Sequence, residues 1–245
     1  MTLTRTVVPE LLDNLSANDP VAMRSRRDLK RVHKAMSTRS ILLRALGDFN
    51  IRRQSAPFRV LELGAGDGSL MLSVASALQP SWAPVEITLL DRQALLEPAT
   101  TAAYAKLGWT ATHQVADVLD WSTAITRPDY CAQPLARWDL IVANLFLHHF
   151  DGEQLATLLA AIALVGERFI ACEPRRSRLA LLASQLIGAL GVNAVTRQDA
   201  VLSVRAGFVG TDISAVWPAP KQDWVSREYA AGRFSQCFVA ARMSR

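Results

Sequence analysis

Val60-Leu61-Glu62-Leu63-Gly64-Ala65-Gly66-Asp67-Gly68-Ser69-Leu70 (residues 60–70, VLELGAGDGSL) decides how the rest of the chain is read. An apolar run ends, three glycines alternate with small or acidic residues, and a second apolar run begins. A strand that turns sharply into a helix presents backbone N–H groups and the helix N-terminus to a polar ligand. Gly64, Gly66 and Gly68 permit backbone angles and close approach that side chains forbid, and Asp67 and Ser69 stand where helix-capping residues stand. The competing reading is an ordinary tight turn. The nicotinamide-dinucleotide fingerprint GxGxxG fails, because its third glycine falls on Ser69. A phosphate-cradling P-loop fails too, since no Gly-Lys-Ser/Thr follows.

Outward from this loop, strand-like and helix-like patterns alternate. FRVLEL (58–63), VEITLLD (85–91), THQVAD (112–117), WDLIVANL (138–145) and RFIACEP (168–174) read as strands. SLMLSVASAL (69–78), the stretch 95–107 with Pro98 in its first turn, DGEQLATLLAAIALV (151–165, Asp151 and Gln154 at capping positions) and SRLALLASQLIGALG (177–191) read as helices. TDISAVW (211–217) and FSQCFVAARM (234–243) read as two closing strands with no crossover helix between them, so the last is expected antiparallel. The pattern predicts an α/β fold: a doubly wound, Rossmann-like, seven-stranded sheet with an N-terminal helical extension. In that extension Val21, Leu29, Val32 and Met36 mark one helix, and Thr38 caps a second one that buries Ile41, Leu42 and Leu46. A boundary near QSAPF (54–58) divides a helical segment, 1–55, from a main domain, 56–245.

Half of the 245 residues are hydrophobic, enough for a substantial core, and no apolar run reaches membrane-spanning length. The N-terminus does not read as a secretory signal. Cys131, Cys172 and Cys237 are odd in number and lack CxxC spacing, which speaks against a disulfide framework or zinc site and fits a reducing cytoplasm. The net charge of +5 is uneven: residues 1–56 carry +6 and the remainder −1. A basic segment attracts nucleic acid, membrane surfaces or anionic substrates, but Glu10, Asp13 and Asp28 interrupt it, as on a solvated helical face.

The run Val60–Gly68 resembles the first motif of class I S-adenosylmethionine-dependent methyltransferases. Further features of that family follow in order: Asp91 ends the second strand, Ala116-Asp117-Val118 follows the third, and Trp138-Asp139 opens a fourth that runs through Asn144 into Phe146-Leu147-His148-His149-Phe150. The resemblance covers about residues 58–243, and it implies that 56–245 form the methyltransferase domain while the helical segment 1–55 caps the cofactor and shapes the substrate pocket. It implies S-adenosylmethionine as cofactor, held by Glu62, Gly64, Ala65, Gly66, Gly68, Asp91, Arg92, Asp117, Val118 and Asn144. Asp91 would accept both ribose hydroxyls and Asp117 would meet the adenine amino group. RSRRDLKRVHKAM (24–36), CEPRRSRLALLASQL (172–186) and QDAVLSVRAGF (198–208) are similar to bacterial small-molecule methyltransferases of the ubiquinone/menaquinone-biosynthesis-like group, some of them polyketide-associated.

The resemblance implies methyl transfer to an oxygen or carbon of a small phenolic, enolic or polyketide-like acceptor. Such an in-line displacement needs alignment and water exclusion, and no metal. His148 and His149 are the candidate catalytic residues, a neutral imidazole serving as base, against a purely packing or lining role. His33 is expected on the surface, with reach to the substrate from the N-terminal lid as the alternative, and His113 in a structural position. Arg175 and Arg176 bind an acidic substrate or form salt bridges beside Glu173, and Trp217 and Trp224 belong to the core or a lid, or form a wall for an aromatic substrate. A nucleic-acid substrate is disfavoured, because Asn144-Leu145-Phe146-Leu147 lacks the proline-rich stretch of base methyltransferases. An RNA substrate, a homodimer, a non-catalytic cofactor-binding partner or sensor, and a dehydrogenase remain as alternatives.

Overall fold

The structure is a computed structural model that describes residues 3–47, 49, 56–78, 82, 84–127, 137–218 and 223–243. Cys131 and the first two residues of the expected boundary, 54 and 55, lie outside the described residues.

A seven-stranded sheet forms the centre, in the order β3-β2-β1-β4-β5-β7-β6. Its strands are β1 (Phe58–Leu63), β2 (Val85–Asp91), β3 (Trp109–Val115), β4 (Leu140–Asn144), β5 (Arg168–Pro174), β6 (Trp224–Ala231) and β7 (Ser235–Arg242). The first five are parallel, and β7 lies antiparallel to both β5 and β6. β1 and β4 are buried on both faces and so read as continuous apolar runs. Helices α3 (Ser69–Leu78), α4 (Pro98–Lys106), α5 (Val118–Thr126) and α6 (Gly152–Val165) connect the parallel strands. Two apolar clusters result. One sets α6 and Trp217 against Phe169 and Phe238; the other sets α3 and Tyr104 against Val60, Ile87 and Trp109.

Strand order reverses between β1 and β4, so the loops after these two strands diverge. An open α/β sheet binds ligands in the crevice that this divergence creates. Over it lies α1 (Pro20–Ala35), while α2 (Thr38–Gly47) packs into the core beside α3, and α7 (Arg178–Leu186) and α8 (Ala194–Ala206) follow β5. Asn193 caps α8 by accepting from Thr196 N (2.8 Å), while its own amide donates to Asp28 on α1 (2.8 Å) and its side chain exchanges bonds with Ser25. α1 therefore buries Ala22, Ser25, Asp28 and Val32. The expected apolar face is displaced: Val21 is exposed, and the polar partners are what fix the helix.

Four further expectations are corrected. TDISAVW is helical, α9 (Asp212–Val216), not a strand; the closing strand is WVSREYAA, four of whose eight side chains are exposed, so little period-two signal marks it. Thr38 is the buried first residue of α2, and its hydroxyl makes no capping bond. Asp151 stands at the N-cap of α6 without a side-chain bond. The third strand begins at Trp109, three residues before its expected start.

Tyr104 ties α4 to the glycine loop by donating its hydroxyl to the Gly68 carbonyl at 2.8 Å, fully buried. Tyr104→Phe removes that bond, leaving the carbonyl with the Leu72 amide at 3.1 Å, and is expected to lower the unfolding free energy by about 0.5–1.5 kcal/mol in urea titration. An unchanged midpoint would show that the bond does not anchor the loop.

Candidate active site

Both ends of the crevice are built by strand termini. At one end, Gly64, Gly66 and Gly68 adopt φ of 65°, 56° and 71°, the left-handed region in which a side chain is strained. A Cβ on Gly64 would lie 2.2 Å from the Phe146 ring, whereas one on Gly66 would meet open space. Gly66 N donates to Asp91 Oδ2 at 2.9 Å, Gln93 N donates to Asp91 Oδ1 at 2.9 Å, and Ala65 N donates to the Leu90 carbonyl at 3.1 Å. The carboxylate at the tip of β2 thus holds the loop after β1.

Glu62 and Asn144, at the tips of β1 and β4, line the cavity, and Glu62 Oε2 and Asn144 Oδ1 have no hydrogen-bond partner among the described residues. Burial, aided by the charges of Asp67 and Asp91, raises Glu62 well above the usual carboxylate range. Asp117 caps α5 through Leu119 N at 2.7 Å, and Val118 is buried beside it. The residue after Asn144, Leu145, takes φ of 49°, a strained conformation for a non-glycine residue, fixed by its N–H to the Cys172 carbonyl at 2.9 Å.

At the other end Glu173, buried at the tip of β5, accepts from Phe146 N (3.0 Å), Leu147 N (2.9 Å) and His148 Nδ1 (2.8 Å). Opposite, His148 Nε2 lies 3.3 Å from Glu10 Oε1, and His149 Nδ1 lies 3.2 Å from Asp13 Oδ2. Burial alone would lower His148. Its bonds to Glu10 and Glu173 and their charges outweigh that and raise it to about 9. The neutral imidazole expected from the sequence is thus replaced by a ring engaged at both nitrogens.

Glu10 and Asp13 come from a strap, residues 3–19, within the segment expected to cap the site, although neither carboxylate was itself expected there. Arg5 donates to the Phe150 and Ala206 carbonyls (2.7 and 2.8 Å), and Thr6 N to the Arg205 carbonyl (3.1 Å). Asp199 on α8 accepts from Leu11 N and Leu12 N (2.8 and 3.0 Å). The one early signal was the pair of carboxylates in PELLD. Strap, α1 and strand ends enclose a cavity of about 640 Å³.

The structure brings together Glu62, Gly64, Ala65, Gly66, Asp91, Asp117, Val118, Asn144, His148 and His149 around this cavity. Gly68 instead packs against Leu89. Arg92, at the cavity edge, contacts the Asp13 carbonyl and carboxylate and so secures the strap. His33 lies on the cavity wall, not on the surface, and burial lowers it to about 4 despite Asp67 nearby. Beside it Lys30 pairs with Asp67 at 2.7 Å. Arg176 is committed to Asp212 at 2.7 Å and the Leu3 carbonyl at 3.2 Å. Trp217 and Trp224 pack edge to face in the core, 5.2 Å apart.

Among known proteins, a family model described as lysine methyltransferase matches residues 30–178. No curated protein matches the chain. Solved structures share the fold. The plantazolicin methyltransferase BpumL, in complex with SAH, superposes with a TM-score of 0.63 at 11% identity, over 92% of each chain. The magnesium protoporphyrin IX methyltransferase ChlM from Synechocystis PCC 6803, with bound SAH, has a TM-score of 0.50 at 16% identity, over 95% of this chain and 91% of that one. An O-methyltransferase family protein from Burkholderia thailandensis has 0.52 at 14%, over 94% of this chain and 63% of that one.

Asp199→Ala removes the acceptor of two strap amides. Hydrogen exchange at Leu11 and Leu12 is expected to accelerate at least about ten-fold, because bonds to a charged acceptor contribute about 1.5–3 kcal/mol. Unchanged protection would mean that the strap is held elsewhere.

Proposed function

The chain belongs to the lysine methyltransferase family, and from that premise we propose that it transfers a methyl group from S-adenosylmethionine to an oxygen or carbon atom of a small-molecule acceptor. The observation that carries the cofactor assignment is the clamp of Gly66 N on Asp91, beside the unpartnered Glu62 and Asn144 side-chain oxygens at the cavity wall. Each Asp91 oxygen accepts one backbone bond and keeps capacity for a further donor, as two vicinal ribose hydroxyls require. Gly64, Ala65 and Gly66 let the backbone approach the amino-acid portion, and Asp117 with Val118 forms the adenine wall. The bound cofactor supplies an already activated methyl group. The chain's part is to align the acceptor with it and to exclude water.

The acceptor is not inherited with the family. The matched stretch, 30–178, takes in the cofactor end of the cavity; the strap and α8, which contribute Glu10, Asp13 and Ser203 to the other end, lie outside it. In this reading residues 1–55 cap the site and 56–245 form the catalytic domain. His148 and His149 line the acceptor end. A cavity of about 640 Å³ suits a cofactor with a compact acceptor better than a polymer. Among the described residues no helix is long and apolar enough to cross a membrane, and a cytoplasmic location accords with the proposal.

Calorimetric titration with S-adenosylhomocysteine, with NAD as control, tests the cofactor. Wild type is expected to bind the first and not the second. Asp91→Ala is expected to weaken binding about ten- to a hundred-fold, the loss of bonds to a charged group; Asp91→Asn, which keeps one acceptor oxygen, should lose less. Gly66→Ala adds a methyl group on the cavity side and about 1–2 kcal/mol of left-handed strain, so binding should fall while the fold survives. Equal affinity in Asp91→Ala would remove that residue from the cofactor site.

A further inference from the structure

We propose that Glu10, His148 and His149, with Asp13 beside them, form a binding site for a divalent transition-metal ion at the acceptor end of the cavity. One ligand atom from each of Glu10, His148 and His149 falls within 4.8 Å of the others. The distances around His148 differ in kind. Its Nδ1 lies 2.8 Å from Glu173, the length of a charge-assisted hydrogen bond. Its Nε2 lies 3.3 Å from Glu10, and His149 Nδ1 lies 3.2 Å from Asp13. These are long for such bonds. Two donors bound to one ion at about 2.1 Å each stand about 3.0–3.4 Å apart at right or tetrahedral angles.

The surroundings fit the same assignment. A metal-bound imidazole characteristically donates its other N–H to a carboxylate, which fixes the ring and raises its basicity. Glu173 does this for His148 from a fully buried position, and it also orders the turn through the amides of residues 146 and 147. Two imidazoles and one or two carboxylates suit zinc, manganese or ferrous iron better than magnesium, which prefers an all-oxygen shell. The donors come from two separate places, the turn after β4 and the strap, so an ion would pin the cap to the catalytic domain. Its chemical use rests on the methyl-transfer reading: a cation here would hold an acceptor oxygen and lower its pKa.

The test uses the full chain, freed of metal by dialysis against a chelator and titrated calorimetrically with Zn²⁺ and, separately, Mn²⁺. One ion per chain is expected for at least one of them. His149→Ala and Glu10→Gln should each lower the affinity at least about a hundred-fold. Glu173→Gln, which perturbs only the orienting carboxylate, should lower it about ten- to a hundred-fold at unchanged stoichiometry. Circular dichroism melts confirm that each variant folds, and His149→Ala, on a half-buried residue, carries the test if Glu10→Gln does not. Binding of neither ion, or equal affinity in wild type and the variants, overturns the site. S-adenosylhomocysteine titration of the metal-free protein keeps the two questions apart: cofactor binding without ion binding leaves the methyl-transfer reading standing and removes the metal.

Discussion

A single hydrogen bond, from the Gly66 amide to the Asp91 carboxylate, is the constraint on which the site depends. It joins the loop after β1 to the tip of β2, in a turn whose three glycines all take left-handed φ. The sheet alone brings the two strand ends side by side, through a parallel register that pairs Leu63 with Leu90. The bond turns that proximity into a rigid rim. Tyr104 braces the far side of the turn, and Lys30 reaches Asp67 from α1. The last of these is half-exposed and contributes little on its own. The buried Tyr104 bond and the Asp91 clamp carry the loop.

The opposite end of the cavity is organised by a different device. Glu173 is buried without a salt-bridging lysine or arginine among the described residues, and its charge is met by backbone amides and by His148. A buried carboxylate left without such partners would cost several kcal/mol. Its presence therefore dictates the shape of the turn that carries both histidines. The strap then delivers Glu10 and Asp13 to those rings and is latched by Asp199 and Arg5. The acceptor end is thus assembled from two places, the turn after β4 inside the family match and the strap outside it, whereas the glycine loop and Asp91 at the cofactor end lie within the match.

The core architecture was legible because buried parallel strands announce themselves as apolar runs. FRVLEL, VEITLLD and RFIACEP form strands over the same residues that the pattern marks. The glycine loop and Asp91 were legible because only glycine tolerates the turn and because an acid at a strand end is conspicuous. The edge strand WVSREYAA was not, since half its side chains face water and erase the alternation. TDISAVW misled by its β-branched residues, although the chain there makes a single short helix. The place of Glu10 and Asp13 within the capping segment escaped because it is fixed by long-range bonds, Leu11 to Asp199 and Arg5 to Phe150, that leave no local periodicity. His33 was placed on the surface for a related reason: which side of an amphipathic helix faces a cavity depends on its partners, here Asn193 against Asp28 and Ser25.

The most direct measurement is a crystal structure of the full chain with S-adenosylhomocysteine. The account places the ribose hydroxyls on the Asp91 carboxylate, the adenine beside Asp117 and Val118, and the sulfur facing His148 and His149. A ligand seated anywhere else, or a ribose that leaves Asp91 bonded only to Gly66 and Gln93, would contradict it.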